Sequence, residues 1–399
     1  MVDAFSALKT REEAVIMRTY GRYPLAVSRA EGSRLIDLDG RQYVDLLAGI
    51  AVCNLGHCHP EVAEVICRQA RELVHVSNLF YQTEQVELAE RLLSTCHCGK
   101  AFFCNSGAEA NEAAIKLARR FMREVRGREA FEIITLAGSF HGRTLATLTA
   151  TGQDKIKHGF APLPEGFKTV AWGDLDAVRA AVTEVTAGVL IEIVQGEGGV
   201  NPLPVDYVRG LADLCREKGI LFMVDEIQTG MCRTGKFWAF QHCGVTPDMF
   251  TCAKALANGL PMGALFATDE VAAGFVPGSH ATTFGGGALL SAAAAKVVEI
   301  MRRDRLDERA RRVGDYAMGL FTDLKRTFPD KIAAVRGLGL MIGIELTFPG
   351  QAVWRALLDR GFVLNLTQDK VLRLLPPLTI PREDLARFAS ALGMVLGES

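Results

Sequence analysis

The chain carries no surplus of charge: 45 Lys and Arg stand against 46 Asp and Glu over 399 residues. That balance gives no reason to expect a nucleic acid or a membrane surface as partner. An apolar run of membrane-spanning length is also missing. The opening Met-Val-Asp-Ala-Phe-Ser does not read as a signal peptide, and acids follow at Glu12 and Glu13. A cytoplasmic location is therefore expected. The ten cysteines show no CxxC repeat and no paired framework. A structural zinc site and a disulfide scaffold are both unexpected. His57-Cys58-His59 and Cys96-His97-Cys98 place side chains adjacent or one apart, a spacing that chelates poorly from regular elements. No metal is expected, and buried thiols are the ordinary account. No internal repeat or low-complexity linker interrupts the chain.

What the chain has is bulk and alternation. Apolar residues make up 49% of it, enough for a sizeable core. The length suggests one large domain with a smaller one. After a polar helical opening, residues 25–46 read as short strands with a hairpin turn at Asp39-Gly40. Helical periodicity follows at 60–74 and 85–93. From about residue 100 strands and helices alternate. Strands are expected at 101–104, 131–136, 188–194, 220–224, 250–252 and 264–268, and helices at 109–124 and 207–218. Uninterrupted apolar strands between helices mean a buried, mostly parallel sheet, hence an α/β fold with helices on both faces. A single long helix is expected at 292–312. The remainder reads as a smaller α+β domain. The expected division is an N-terminal segment 1–55 joining the small domain, a large domain 56–300 and a small domain 301–399.

In an open parallel sheet, ligands bind beyond the carboxyl ends of the strands. Five motifs fall at or near such ends. Ser106, Gly107 and Ala108 are small residues at a helix start, suited to an anion such as phosphate; an ordinary N-capped helix would look the same. Phe140 can stack on a flat ring and Arg143 can clamp a carboxylate, or they are a core aromatic and a surface cation. Glu192 and Glu197 are acids near a strand end, or solvated loop acids. Asp225-Glu226-Ile227-Gln228 ends an apolar strand. Lys254 follows the next one. A lysine that holds pyridoxal phosphate as a Schiff base, with a carboxylate on the ring nitrogen, is one chemistry that needs this pair.

Taken together the chain resembles the class III (ornithine-type) aminotransferases of the fold-type-I pyridoxal-phosphate enzymes. The resemblance runs over nearly the whole length, through Gly49–Pro60, Val76–Tyr81, Asn105–Lys116, Ser139–Thr144, Val224–Gly230 and Arg336–Met341. It implies pyridoxal 5'-phosphate as cofactor, Lys254 as its lysine and Asp225 on the ring nitrogen. Ser106, Gly107 and Ala108 then form the phosphate cup. Phe140, Glu226, Ile227 and Gln228 are implied around the ring. Thr283 is implied to reach the phosphate of a neighbouring subunit, making a homodimer with shared active sites. Tyr20, Arg143, Glu197, Thr282 and Arg373 are implied on the substrate side, Glu197 and Arg373 as a switching ion pair. The expected small-molecule partners are N-acetylornithine as amine donor and 2-oxoglutarate as acceptor, in arginine biosynthesis. N-succinyl-diaminopimelate and other ω-amines are the alternative donors, and an aminomutase on the same scaffold is the non-transaminase alternative.

Some positions depart from the family pattern. Ile193 replaces a proline, Ala281 a glycine, and Gly285-Gly-Gly-Ala288 stands where Gly-Gly-Asn-Pro is usual. The loss of Asn and Pro predicts a looser loop there. Ile50 stands where the enzymes of free ornithine have a tyrosine, which favours an acylated donor.

Overall fold

The computed structural model describes residues 4–398. Three strands open the chain: β1 (Val27–Glu31), β2 (Arg34–Asp37) and β3 (Gln42–Asp45). The central strands are β4 (Lys100–Cys104), β5 (Glu132–Leu136), β6 (Phe167–Val170) and β7 (Thr186–Ile191). A two-residue pair, β8 (Val194–Gln195) and β9 (Asn201–Pro202), follows, then β10 (Leu221–Asp225), β11 (Met249–Cys252) and β12 (Gly263–Ala267). The C-terminal part adds β13 (Ile332–Leu338), β14 (Met341–Leu346), β15 (Phe362–Val363), β16 (Asn365–Thr367) and β17 (Val371–Leu374).

Seven strands form one sheet in the order β4-β12-β11-β10-β7-β5-β6. Only β12 runs against its neighbours; the others are parallel. Every residue of β7, β10 and β11 is buried, as unbroken apolar strands in a covered parallel sheet require. Alternate residues feed different layers. Phe222 and Val224 join the core that also holds Phe250, Leu46 and Leu372, while Leu221 and Met223 pack with Ala114, Ile115 and Leu117 of the helix Gly107–Arg120. The C-terminal strands β13-β14-β17-β16 make an antiparallel sheet, and β15 pairs in parallel with β3. The outer faces carry the long helices. Among the described residues no helix is long and apolar enough to cross a membrane.

The expected helix over 292–312 is two helices, Ala288–Arg303 and Leu306–Thr327. The break falls at Arg305, which is left-handed at φ 49°. A run of charges hides it from periodicity. Arg303 is drawn to Glu61 and Asp304, and Asp307 and Glu308 start the next helix, where acids favour the dipole. The glycine loop is not loose. Gly285, Gly286 and Gly287 are buried, and the Gly285 and Gly286 carbonyls accept from Asn78, Gln85 and Ser291. The edge strand β6 was not foreseen, because its half-exposed residues carry no apolar run.

Before the parallel sheet begins, Ala48, Gly49, Ile50 and Ala51 all have positive φ, at 49°, 65°, 67° and 59°. For residues with a Cβ this conformation costs roughly 1–2 kcal/mol each. The turn that follows β4 is packed just as closely. A Cβ on Gly263 of β12 would stand 2.3 Å from the Ser106 carbonyl oxygen. Gly263→Ala should therefore destabilise the fold by about 1–3 kcal/mol and shift the 105–108 turn. Chemical denaturation tests the first expectation, and a change smaller than the error of that measurement would show that the turn yields freely.

Candidate active site

Five parallel strands deliver their carboxyl ends to one cavity of about 440 Å³. β4 ends in Ser106, Gly107 and Ala108. β5 leads to Phe140, His141 and Arg143. β7 leads to Glu192 and Glu197, β10 ends in Asp225 and leads to Ile227 and Gln228, and β11 leads to Lys254. All of these residues line the cavity.

Asp225 is the most constrained of them. It is 3% exposed. Its Oδ1 accepts from the Ile227 amide at 3.0 Å, and its Oδ2 accepts from Asn111 Nδ2 at 2.8 Å and meets His141 Nδ1 at 2.9 Å. Asn111 is itself fixed, donating to the His141 carbonyl and accepting from Thr251 Oγ1, both at 2.8 Å. Thr251 is the register partner of Asp225 across β10 and β11. Pairing of these strands thus builds the cage around the carboxylate. His141 lines the cavity, and its other ring nitrogen, Nε2, is buried without a partner among the described residues.

Lys254 follows β11 through a sharp bend. Ala253 sits at φ −159°, ψ −136°, and Lys254 itself is left-handed at φ 41°. A lysine in this region marks a backbone held by its surroundings. Burial lowers the Lys254 pKa from its ordinary value, and the nearby Arg373 adds to that, against the carboxylates of Glu197, Asp225 and Glu192.

The remaining charges in and just behind the cavity form two groups. Glu192 accepts from the Phe140 amide at 3.0 Å and the Gly196 amide at 3.2 Å. Burial, helped by the charge of Asp225, pushes it up to about 7. Glu197 is half-buried, which would raise it, but the charge and hydrogen bond of Arg373 win and hold it below its usual range. Arg373 on β17 is 1% exposed. Its Nη1 donates to Glu197 Oε1 at 2.7 Å, while Nε and Nη2 donate to Asn365 Oδ1 at 3.1 and 2.7 Å. Gln228 bridges the pair, accepting from Arg373 at 3.3 Å and donating to Glu197 at 3.4 Å.

At the opposite wall the helix Gly107–Arg120 points its N-terminus at the cavity, capped by Ser106 Oγ, which accepts from the Glu109 amide at 3.2 Å. First-turn amides have no partner within a helix, so this end suits an anion. Gly107 fits tightly there: a Cβ would stand 2.8 Å from the Ile227 side chain, which would have to shift. Arg143 is exposed, with its guanidinium 5.5 Å from the Phe140 ring centre.

Five expected site residues do not line this cavity; one of them, Arg373, lies behind Glu197, which does. Glu226 turns beneath the sheet, with Thr229 Oγ1 donating to it at 2.6 Å and the Phe240 amide at 2.9 Å. Burial pushes it up to about 7. Thr282 Oγ1 accepts from Asn105 Nδ2 at 3.2 Å, and Thr283 is exposed. Tyr20 is exposed in a neighbouring groove that also touches Ile50 and Asn365. Sequence reasoning missed the roles of Asn111, His141 and Asn365 as holders of Asp225 and Arg373. The first two lie inside motifs quoted from the sequence, and Asn365 carried no signal.

A family model described as aminotransferase class-III matches residues 15–396. The acetylornithine aminotransferase of Methanocaldococcus jannaschii is 45% identical over 387 residues, 97% of each chain. That of Myxococcus xanthus is 45% identical over 380 residues, 95% of each. Among solved structures, the ornithine aminotransferase of Toxoplasma gondii ME49 superposes with a TM-score of 0.96 at 29% identity, covering 100% of this chain and 96% of that one. The acetylornithine aminotransferase of Elizabethkingia anophelis gives 0.89 at 30% identity, with 100% of both covered.

The lowered pKa of Lys254 has a direct consequence. In protein stripped of any bound small molecule, acylation of Lys254 should rise with pH through a midpoint below that of an ordinary lysine, because burial favours the neutral amine. Peptide mapping after modification at graded pH reads this, and a midpoint at or above 10.5 would count against it.

Proposed function

The chain belongs to the class-III aminotransferases, whose cofactor is pyridoxal 5'-phosphate, and on that premise we propose that it moves the distal amine of N-acetylornithine to 2-oxoglutarate. The products are N-acetylglutamate 5-semialdehyde and glutamate, and we place the reaction in the cytoplasm, within arginine biosynthesis. The residues present fit the cofactor. A helix N-terminus with little room for a Cβ at Gly107, a caged carboxylate at Asp225, an unpartnered His141 Nε2 and a buried lysine of lowered pKa surround one cavity. When bound, the cofactor supplies an electron sink that makes the hydrogen on the amine-bearing carbon acidic.

Each residue's part in the proposal follows from its chemistry. Ser106, Gly107 and Ala108 take the phosphate. Asp225, held by Asn111 and His141, keeps the ring nitrogen protonated. Phe140 and Ile227 would hold the ring, and Gln228 would offer it a hydrogen bond. Lys254 would hold the cofactor, and its amine, kept neutral by burial, would carry the proton from the substrate carbon. Arg143 takes the donor's α-carboxylate at the cavity mouth. Residues 56–300 form the cofactor-holding unit in this reading, completed by residues 1–55 and 301–399.

One observation carries the use of two different substrates at a single site. Arg373, nearly inaccessible, is closed off by Glu197 at 2.7 Å. In the closed state Arg373 offers no charge to an α-carboxylate, so the donor enters by its distal amine. When Glu197 swings away, Arg373 receives the carboxylate next to the keto group of 2-oxoglutarate. The choice of acylated donor is supported by the relatives named above and by Ile50, which brings no hydroxyl to the groove beside the cavity.

A second copy of the chain belongs to the proposal. Leu79, Phe80, Tyr81 and Phe284 are exposed. They sit on one surface, because Asn78 donates to the carbonyls of Thr282 and Gly285, and Phe284 lies against His75. Thr283, exposed between them, then reaches the partner's phosphate.

Two experiments test these assignments. Single-turnover spectra should show Arg373→Ala slowing the 2-oxoglutarate half-reaction by about a hundredfold and the acetylornithine half-reaction far less, while Glu197→Ala should raise reactivity toward glutamate. Equal losses in both halves would reject the switch, and a donor panel in which free ornithine or another ω-amine outruns N-acetylornithine would reject the substrate. Phe80→Asp should yield a monomer by light scattering with most activity lost; a fully active monomer would refute the shared site.

A further inference from the structure

The turn Ala48–Ala51 is the longest left-handed stretch among the described residues, and what holds it there has no part in the proposal above. It is one closed turn: the Ala51 amide donates to the Leu47 carbonyl at 3.0 Å and the Val52 amide to that of Ala48 at 2.8 Å. A β-branched residue such as Ile50 takes this conformation only where its surroundings over-determine it. Those surroundings are specific. Asp45, 2% exposed at the end of β3, accepts from the amides of Leu47 at 2.8 Å and Ala48 at 2.9 Å through Oδ1. Its Oδ2 meets His57 Nε2 at 2.6 Å. The bond to Asp45 pushes His57 up to about 10, so the imidazole is charged at neutral pH. Below the turn, Ala51 packs with Val194 and Leu375, neighbours in sequence of Glu197 and Arg373. Above it, Val52 lines the cavity and Ile50 lines the groove beside it.

We infer that Asp45 and His57 are positioning residues that clamp Ala48–Ala51 in its left-handed turn, so that Ile50 and Val52 form the wall seating the acyl-bearing end of the amine donor. The inference rests on the donor proposed above. Neither Asp45 nor His57 touches substrate in it; both act through the backbone they hold.

The probe is N-acetyl-L-norvaline, which is the proposed donor without its distal amine and so binds without reacting. Calorimetric titration of holoenzyme gives its affinity. His57→Ala should weaken it about tenfold, with the KM for 2-oxoglutarate moving less than about threefold. His57→Gln, whose amide can still donate to Asp45, should return within about threefold of wild type. In an Ile50→Gly background, where glycine accepts positive φ unaided, adding His57→Ala should cost less than about twofold more. Unchanged affinity in His57→Ala, no rescue by Gln, losses that add fully in the double variant, or an equal effect on 2-oxoglutarate would each overturn the clamp. Wild-type enzyme that fails to bind the probe would instead overturn the donor assignment, and the clamp with it.

Discussion

The site depends on one buried carboxylate and the strand pairing that cages it. Asp225 accepts hydrogen bonds from three separate stretches of chain, at Asn111, His141 and Ile227. A carboxylate this far from water is tolerated only when its oxygens are satisfied. Each donor is set by another element. Asn111 is anchored by Thr251 on the adjacent strand, and the His141 amide donates to Thr151 Oγ1 at 2.9 Å. The same register that puts Thr251 opposite Asp225 fixes where β11 ends, and so where Lys254 emerges. A slip between β10 and β11 would undo the cage and misplace the lysine together.

Burial shifts several charged groups in and beside this cavity, with different outcomes. It lowers Lys254, raises Glu192 and Glu226, and would raise Glu197 but for Arg373. The difference lies in partners. Glu226 is offered only neutral donors, from Thr229 and backbone amides, so desolvation dominates. Glu197 has a guanidinium at 2.7 Å. Its depressed pKa keeps the pair charged as the medium is acidified through the ordinary carboxylate range, and the pair is lost only as the pH falls through that lower value. In the proposed switch, a competing carboxylate would make the same bonds to Arg373 that Glu197 gives up.

The fold was legible where a single local rule applied. Buried parallel strands announce themselves as apolar runs, and β7, β10 and β11 lie close to where those runs predict. The hairpin at Asp39-Gly40 follows from turn chemistry, with Gly40 at φ 83°. Rules failed where several non-local contacts decide. The split at Arg305 depends on Glu61, far away in sequence, and the loop at Gly285–Ala288 is tied down by Asn78 and Gln85 rather than by its own residues. Glu226 shows the finer failure: next to Asp225 in sequence, it faces the other side of the strand end and serves packing.

The sequence by itself determined the α/β class and the motif set, and it pointed to the lysine, the aspartate and the small-residue helix start that the structure brings to one cavity. These are properties of types and spacings, which local physics constrains. Only the tertiary structure decided which side chains share a cavity. It brought Arg373 from β17 to Glu197, used Asn365 to hold it, placed His141 and Asn111 around Asp225, and kept Thr283 and Tyr20 on exposed surface. It also forced Ala48–Ala51 into a left-handed turn that no local preference would choose. The physical reason is common to all of these. Hydrogen bonds and ion pairs between different elements, as far apart in sequence as Glu197 and Arg373, outweigh local preference, and they exist only once the sheets have packed.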